Sequence, residues 1–175
     1  MLLNTAEFQA GSYQPRFHQI DLDKDILNKL YKEQLQNAKQ RGLELIYNCE
    51  LNDSKILADE YSTIHIFANL IDNALNYTKK GKVEILLTKN EDGNVIVEIK
   101  DTGIGIAEEF LPNLFKPFAQ EEQGYSRSFE GNGLGLALVK NYCDVNNALI
   151  EVESVKNVGS TFRIIFDKNN KIILN

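Results

Sequence analysis

Apolar positions along the 175-residue chain fall into stretches of two periods, about 3.6 and 2, the spacings of a helix face and a strand face. MLLNTAEFQA places Leu2, Leu3, Ala6 and Ala10 at helical spacing with Gly11 as a stop, so residues 1–11 read as the end of a helix cut from something longer. FHQIDL alternates as a short strand. Asp23 to Arg41 then carries Ile26, Leu27, Leu30, Tyr31, Leu35 and Ala38 at i, i+3/i+4 intervals, an amphipathic helix closed by Gly42. LELIYNCEL reads as a strand. Asp59 suits the N-cap of a helix running to Tyr77, with Ile64, Phe67, Ala68, Ile71, Ala74 and Leu75 on its apolar side. KVEILLTK and NVIVEIKD, joined across Asp92-Gly93, predict a hairpin.

A short helical stretch is expected from Glu108 to Phe115, its acidic start matched to the helix dipole. Residues 117–133 lack apolar periodicity and contain Gly124, Gly131 and Gly133; a long loop inside a compact domain predicts a functional lid. Leu134 to Val145 reads as a helix, ALIEVES and STFRIIFD as two more strands. Together these elements predict an α+β domain over residues 12–175: a two-layer α/β sandwich with helices on one face of a mixed, mostly antiparallel sheet.

Composition narrows the classes without naming one. With 43% hydrophobic residues, 25% charged and a formal net charge of −6, the chain resembles a globular domain and lacks the basic stripe of a nucleic-acid binder. Lys79, Lys80 and Lys82 flank a turn and read as a solvated loop. Cys49 and Cys143 are far apart and without ligand spacing, which argues for ordinary thiols. No apolar run reaches the roughly 18 residues of a membrane span, and no signal peptide opens the chain. The expectation is a cytoplasmic fragment without membrane contact; attachment of the parent to a membrane stays open.

Three segments carry chemistry. Asp101-Thr-Gly-Ile-Gly-Ile106 follows a strand directly; Gly103 and Gly105 permit close backbone approach, and Asp101 is a carboxylate placed to accept from an exocyclic amine. A tight turn capped by the aspartate is the plainer alternative. Gly131-Asn-Gly-Leu-Gly-Leu136 opens a helix behind the long loop, where exposed N–H groups and the helix dipole suit phosphates; a flexible hinge is its plainer alternative. Asn69 and Asn73 lie four apart on one helix face, amides among Ile, Leu and Phe that need partners such as a metal–phosphate cluster.

In order and spacing these segments resemble the Bergerat-fold ATPases and kinases, and among them the sensor histidine kinases. NLIDNALNYT is similar to that family's N-box, DTGIGI to its first glycine box, LFKPF to its F-box, GNGLGL to its second glycine box and VGSTF to its final motif; the resemblance spans residues 17 to 167. It implies ATP and Mg²⁺ as cofactors, with Asn73 as the Mg²⁺ ligand and Asn69 supporting it. It implies Asp101 at the adenine amino group, Gly103, Ile104, Gly105 and Ile106 around the base, and Tyr77 and Thr161 near the purine. It further implies Gly131, Asn132, Gly133, Leu134, Gly135 and Leu136 at the phosphates, with Phe115 and Phe118 anchoring the lid and Arg127 as a phosphate contact. Asn76 stands where many relatives carry a basic residue, Asn132 where threonine is common, and Asn157 where glycine is common.

The same resemblance makes residues 1–11 the last turns of a phosphoacceptor and dimerisation hairpin otherwise missing. The implied partners are that hairpin and a response-regulator receiver domain, with the fragment a monomer. His18 and His65 do not sit in an acceptor context, so the chain is expected to bind Mg·ATP without phosphorylating itself. Hydrolases of the fold carry glutamate where Asn69 stands, and an amide takes no proton. A degenerate nucleotide-binding module is the remaining alternative.

Overall fold

The computed structural model describes residues 13–119 and 133–168. Strand β1 (Phe17–Asp21) leads into a π-helical turn (Leu22–Leu27), which continues as helix α1 (Asn28–Gln40). The helix expected from Asp23 to Arg41 is therefore one apolar face in two backbone forms, with Leu22, Ile26 and Leu27 buried in its wider first turns. Strands β2 (Leu43–Cys49) and β3 (Lys55–Asp59) precede helix α2 (Glu60–Tyr77). The hairpin strands follow, β4 (Gly81–Lys89) and β5 (Val95–Asp101). A 3₁₀ turn (Glu108–Asn113), helix α3 (Gly135–Val145) and strands β6 (Ala148–Val155) and β7 (Gly159–Phe166) complete the described chain.

Strand β3 is absent from the sequence reading. KILAD has only five residues and pairs antiparallel with β1 in a separate two-stranded sheet, with Ile20 opposite Ile56 and Phe17 opposite Asp59. A strand that short carries too little alternation to stand out from a loop. The main sheet has the order β2-β4-β5-β7-β6, parallel between β2 and β4 and antiparallel elsewhere. The mixed, mostly antiparallel sheet expected from the pattern is thus present.

Alternation decides which face is covered. Val83, Ile85 and Leu87 on β4, Val97 and Ile99 on β5 and Phe162, Ile164 and Phe166 on β7 point into one core shared with Ile66, Phe67, Leu70 and Ile71 of α2 and Leu138 and Val139 of α3. Each such side chain taken from water contributes about 1.5–3 kcal/mol, so the sandwich is held mainly by this layer. The opposite face carries half-exposed residues, among them Arg163, bonded to Glu98 at 2.6 Å and Glu153 at 2.7 Å. Asp101 belongs by alternation to the buried face, at the end of β5.

Candidate functional site

The last turns of α2, the end of β5 and the start of α3 converge. Asp59 caps α2 as expected, its carboxylate accepting from Ser62 N–H at 2.8 Å. The helix then runs 18 residues, which brings Asn69, Asn73, Asn76 and Tyr77 to the side where β5 ends. Asn69 Nδ2 donates to the His65 carbonyl at 2.7 Å. Its Oδ1 faces α3, lying 3.3 Å from where a Cβ on Gly135 would be. The Asn73 and Asn76 carboxamides are half-buried and make no hydrogen bond to a described residue. Tyr77 keeps 41% of its surface exposed at the rim.

Asp101 is only 7% exposed. Its Oδ1 accepts the Gly103 N–H at 2.8 Å, which is the tight turn of the plainer reading. Burial pushes its carboxyl above the ordinary range, against the pull of the Gly103 and Ser160 backbone N–H groups. The loop that follows is docked at both sides. Ile104 N–H donates to the Tyr77 carbonyl at 3.1 Å, and Asn157 N–H donates to the Ile104 carbonyl at 2.7 Å. A Cβ on Gly103 would collide with the Tyr77 carbonyl, and one on Gly105, at φ +61°, with the Val155 carbonyl. Glycine is required at both positions by backbone packed against backbone. Asn157 itself takes φ +62°, the left-handed conformation asparagine tolerates better than most residues.

Ile106 packs against the core. Leu136 does the same, while Leu134, at the start of α3, is buried at 4% exposure. Phe115 is half-buried against the core, whereas the Phe118 ring is 69% exposed. Anchoring at Phe118 is a backbone matter: at φ +61° its N–H donates to the Gly133 carbonyl at 2.9 Å, closing the two ends of the intervening segment on each other. Arg127, Gly131 and Asn132 lie outside the described residues.

Thr161, expected near the purine, does not share the sheet face of Asp101. Thr161 pairs with Lys100 and Glu153 on the opposite sheet face from Asp101. Ser160 is the cross-strand partner of Asp101 and is buried beside it. Side chains alternate along a strand, so a shift of one residue moves a hydroxyl to the other side of the sheet. Ser154 on β6 lies next to Ser160; its hydroxyl accepts from Ile106 N–H at 2.8 Å and lies 2.9 Å from Ser160 Oγ. The alternation of ALIEVES against STFRIIFD held the clue to both.

The remaining groups bear on chemistry by exclusion. Asp72, three residues past Asn69, accepts from Gln34 Nε2 of α1 at 2.9 Å and so faces away from the site. His18 pairs with Glu60 at 3.3 Å on the surface, and His65 stacks on Tyr61. Among the described residues no group of three or more His, Cys, Asp or Glu side chains could hold a metal. A magnesium ion needs no such cluster, since it keeps water and substrate phosphates as ligands around one or two protein oxygens. The unengaged Asn73 carboxamide fits that demand, and the Gly103 turn beside a buried carboxylate fits a flat base with an amino edge.

A family model described as histidine kinase-, DNA gyrase B- and HSP90-like ATPase matches residues 58–170. The chain belongs to this family. The ATPase-family domain is 33% identical over 170 residues to "Hybrid signal transduction histidine kinase L" of Dictyostelium discoideum, covering 94% of this chain and 10% of that protein. It is 32% identical over 169 residues to "Autoinducer 2 sensor kinase/phosphatase LuxQ" of Vibrio parahaemolyticus, covering 92% and 19%. The chain thus spans a fifth or less of these curated relatives.

Solved structures agree on the fold. Full-length ShkA in complex with AMPPNP superposes with a TM-score of 0.81 at 24% identity, covering 94% of this chain and 34% of that one. The nucleotide-free catalytic domain of histidine kinase ThkA gives 0.73 at 23%, covering 87% and 96%. The fold of the ThkA catalytic domain is thus matched almost end to end.

Proposed function

We propose that this domain is the ATP-binding catalytic part of a two-component sensor histidine kinase. It holds Mg·ATP on the cytoplasmic side and presents the γ-phosphate to a histidine on a helical hairpin of the parent protein, with a receiver domain as downstream partner. Asp101 and the glycine-lined turn hold the base edge, Asn73 offers the magnesium an oxygen, and Asn69 braces the start of α3. Magnesium bound there would neutralise phosphate charge; the domain's own part is to align and expose the phosphate chain.

The observation that carries the kinase reading is the absence of a usable base on α2. An amide occupies position 69, with its nitrogen committed to His65. Asp72, roughly 60° around the helix, is engaged by Gln34 on α1. Water activation therefore lacks a proton acceptor on α2, all of whose residues are described, while phosphate presentation needs none. The relatives named above, one described as a histidine kinase and the other as a sensor kinase/phosphatase, support the same reading.

The test is a melting curve with and without Mg·ATP, alongside phosphate release. The parent chain should melt higher with Mg·ATP, and Asn73→Ala should lose most of that rise while melting normally without nucleotide. Steady phosphate release at enzymatic rates would return the domain to the hydrolases. No shift with nucleotide in the parent would make it a degenerate module.

A further inference from the structure

Ser154 on β6 has a hydroxyl engaged three ways. Ile106 N–H donates to it at 2.8 Å, it donates to the Gly159 carbonyl at 3.0 Å, and it lies 2.9 Å from Ser160 Oγ. A serine hydroxyl has one proton and two lone pairs. A carbonyl only accepts, so the Ser154 proton is directed to Gly159. Ser160 must then be the donor in the hydroxyl pair. That leaves Ser160 Oγ with lone pairs alone.

Ser160 is the cross-strand partner of Asp101, and both side chains are buried on the same face of the sheet. The ionised Asp101 carboxylate is an acceptor as well. The end of β5 and the start of β7 therefore offer neighbouring acceptors, with the Ser160 proton turned away. A purine bearing a 6-amino group brings hydrogens to such a surface. A 6-oxo purine brings a carbonyl oxygen, lone pairs against lone pairs, and leaves buried acceptors unpaired.

We propose that Ser154 is a positioning residue for base specificity: by taking the Ser160 proton it keeps the Asp101 end of the pocket donor-free, so that 6-amino purine nucleotides are accepted and 6-oxo purine nucleotides rejected. This rests on the nucleotide-binding reading above. Ser154 touches no nucleotide itself; it sets the direction in which Ser160 presents its oxygen. The Ile106 contact gives it a second, purely architectural task, and the test has to separate the two.

Affinities for Mg·ATP and Mg·ITP are measured by titration calorimetry on the full chain, and the quantity followed is their ratio. The parent should favour ATP by at least about tenfold. Ser154→Ala releases the Ser160 proton to donate into the pocket, and the ratio should fall by about tenfold. Ser154→Val, better suited to a strand, should do the same and covers the case in which the alanine variant folds poorly. The double variant Ser154→Ala/Ser160→Ala removes the liberated donor, and its ratio should return towards the parent value although Ile106 still lacks its anchor. A solely architectural Ser154 gives no such recovery. An unchanged ratio in both single variants, or no recovery in the double, overturns the inference while ATP binding stands. A parent that binds neither nucleotide overturns the nucleotide reading beneath it.

Discussion

Asp101 closes the turn after β5 and, in the proposed site, also meets the base edge. Its carboxylate closes the turn through Gly103 N–H, yet burial raises its pKa above the ordinary 3.8. A raised carboxyl pKa means the folded state prefers the protonated form. The favourable contribution is complete below the unfolded value and is lost as pH rises through the folded one. Asp101→Asn has no such titration. Its melting temperature, relative to that of the parent, should therefore improve as pH is raised from about 4 towards neutrality. The same variant should lose the rise in melting temperature on adding Mg·ATP. A constant offset across that range would show that Asp101 is not held in the environment described.

At the scale of elements, α2 is the piece on which the site is hung, and its N-terminus is unusually well tied. Asp59, 4% exposed, accepts from the hydroxyls of Ser62 and Tyr13, both at 2.6 Å, and from Arg16 N–H at 2.8 Å. Its own N–H donates to Asn146 Oδ1 at 2.8 Å, just past the end of α3. Burial pushes the Asp59 carboxyl up, but the Ser62, Tyr13 and Arg16 hydrogen bonds outweigh it and hold the pKa below the ordinary value. Here the sign reverses: the stabilisation is present above the unfolded pKa and is lost as pH falls through the folded one. Asp59→Ala should cost about 2–4 kcal/mol near neutral pH, and its deficit against the parent should narrow in acid below about pH 4. Denaturant melts at several pH values check both statements. A deficit under about 0.5 kcal/mol would mean the network is ornamental to stability.

Seen as a whole molecule, the chain contains parts to hold a nucleotide and no described group placed to receive its phosphate. His18 lies on the surface beside Glu60, and His65 is stacked on Tyr61 and tied to its own helix at 2.8 Å. The isolated chain should therefore bind Mg·ATP as a monomer and take up no acid-labile, base-stable label from γ-labelled ATP. Labelling of either histidine would contradict that arrangement. Most elements were legible beforehand because each has a long, clean period: α2 over 18 residues, β4 and β5 across an Asp-Gly turn, α3 behind its glycines. β3 was illegible because its five residues become a strand only by pairing with β1. No helix among the described residues is long and apolar enough to cross a membrane.

The sequence by itself determined every described strand but β3, much of the core-facing pattern, the capping of α2 and the spacing of amides and glycines that marks the ATPase family; Ile66 and Leu70 joined the core unannounced and Leu35 stayed exposed. Those properties are local: they depend on period, propensity and which residues tolerate a left-handed turn, and Asn157 at φ +62° bears that out. Tertiary structure alone decided which hydroxyl stands beside Asp101. VGSTF offers Ser160 and Thr161 as neighbours in sequence; alternation puts Ser160 on the face of Phe162, and only the antiparallel register of β5 with β7 sets it opposite Asp101. It also decided that Asp72 turns to α1 and that Ser154 reaches both the Ile106 amide and Ser160. Pairing register and helix azimuth arise from packing between segments distant in sequence, and no local pattern encodes them.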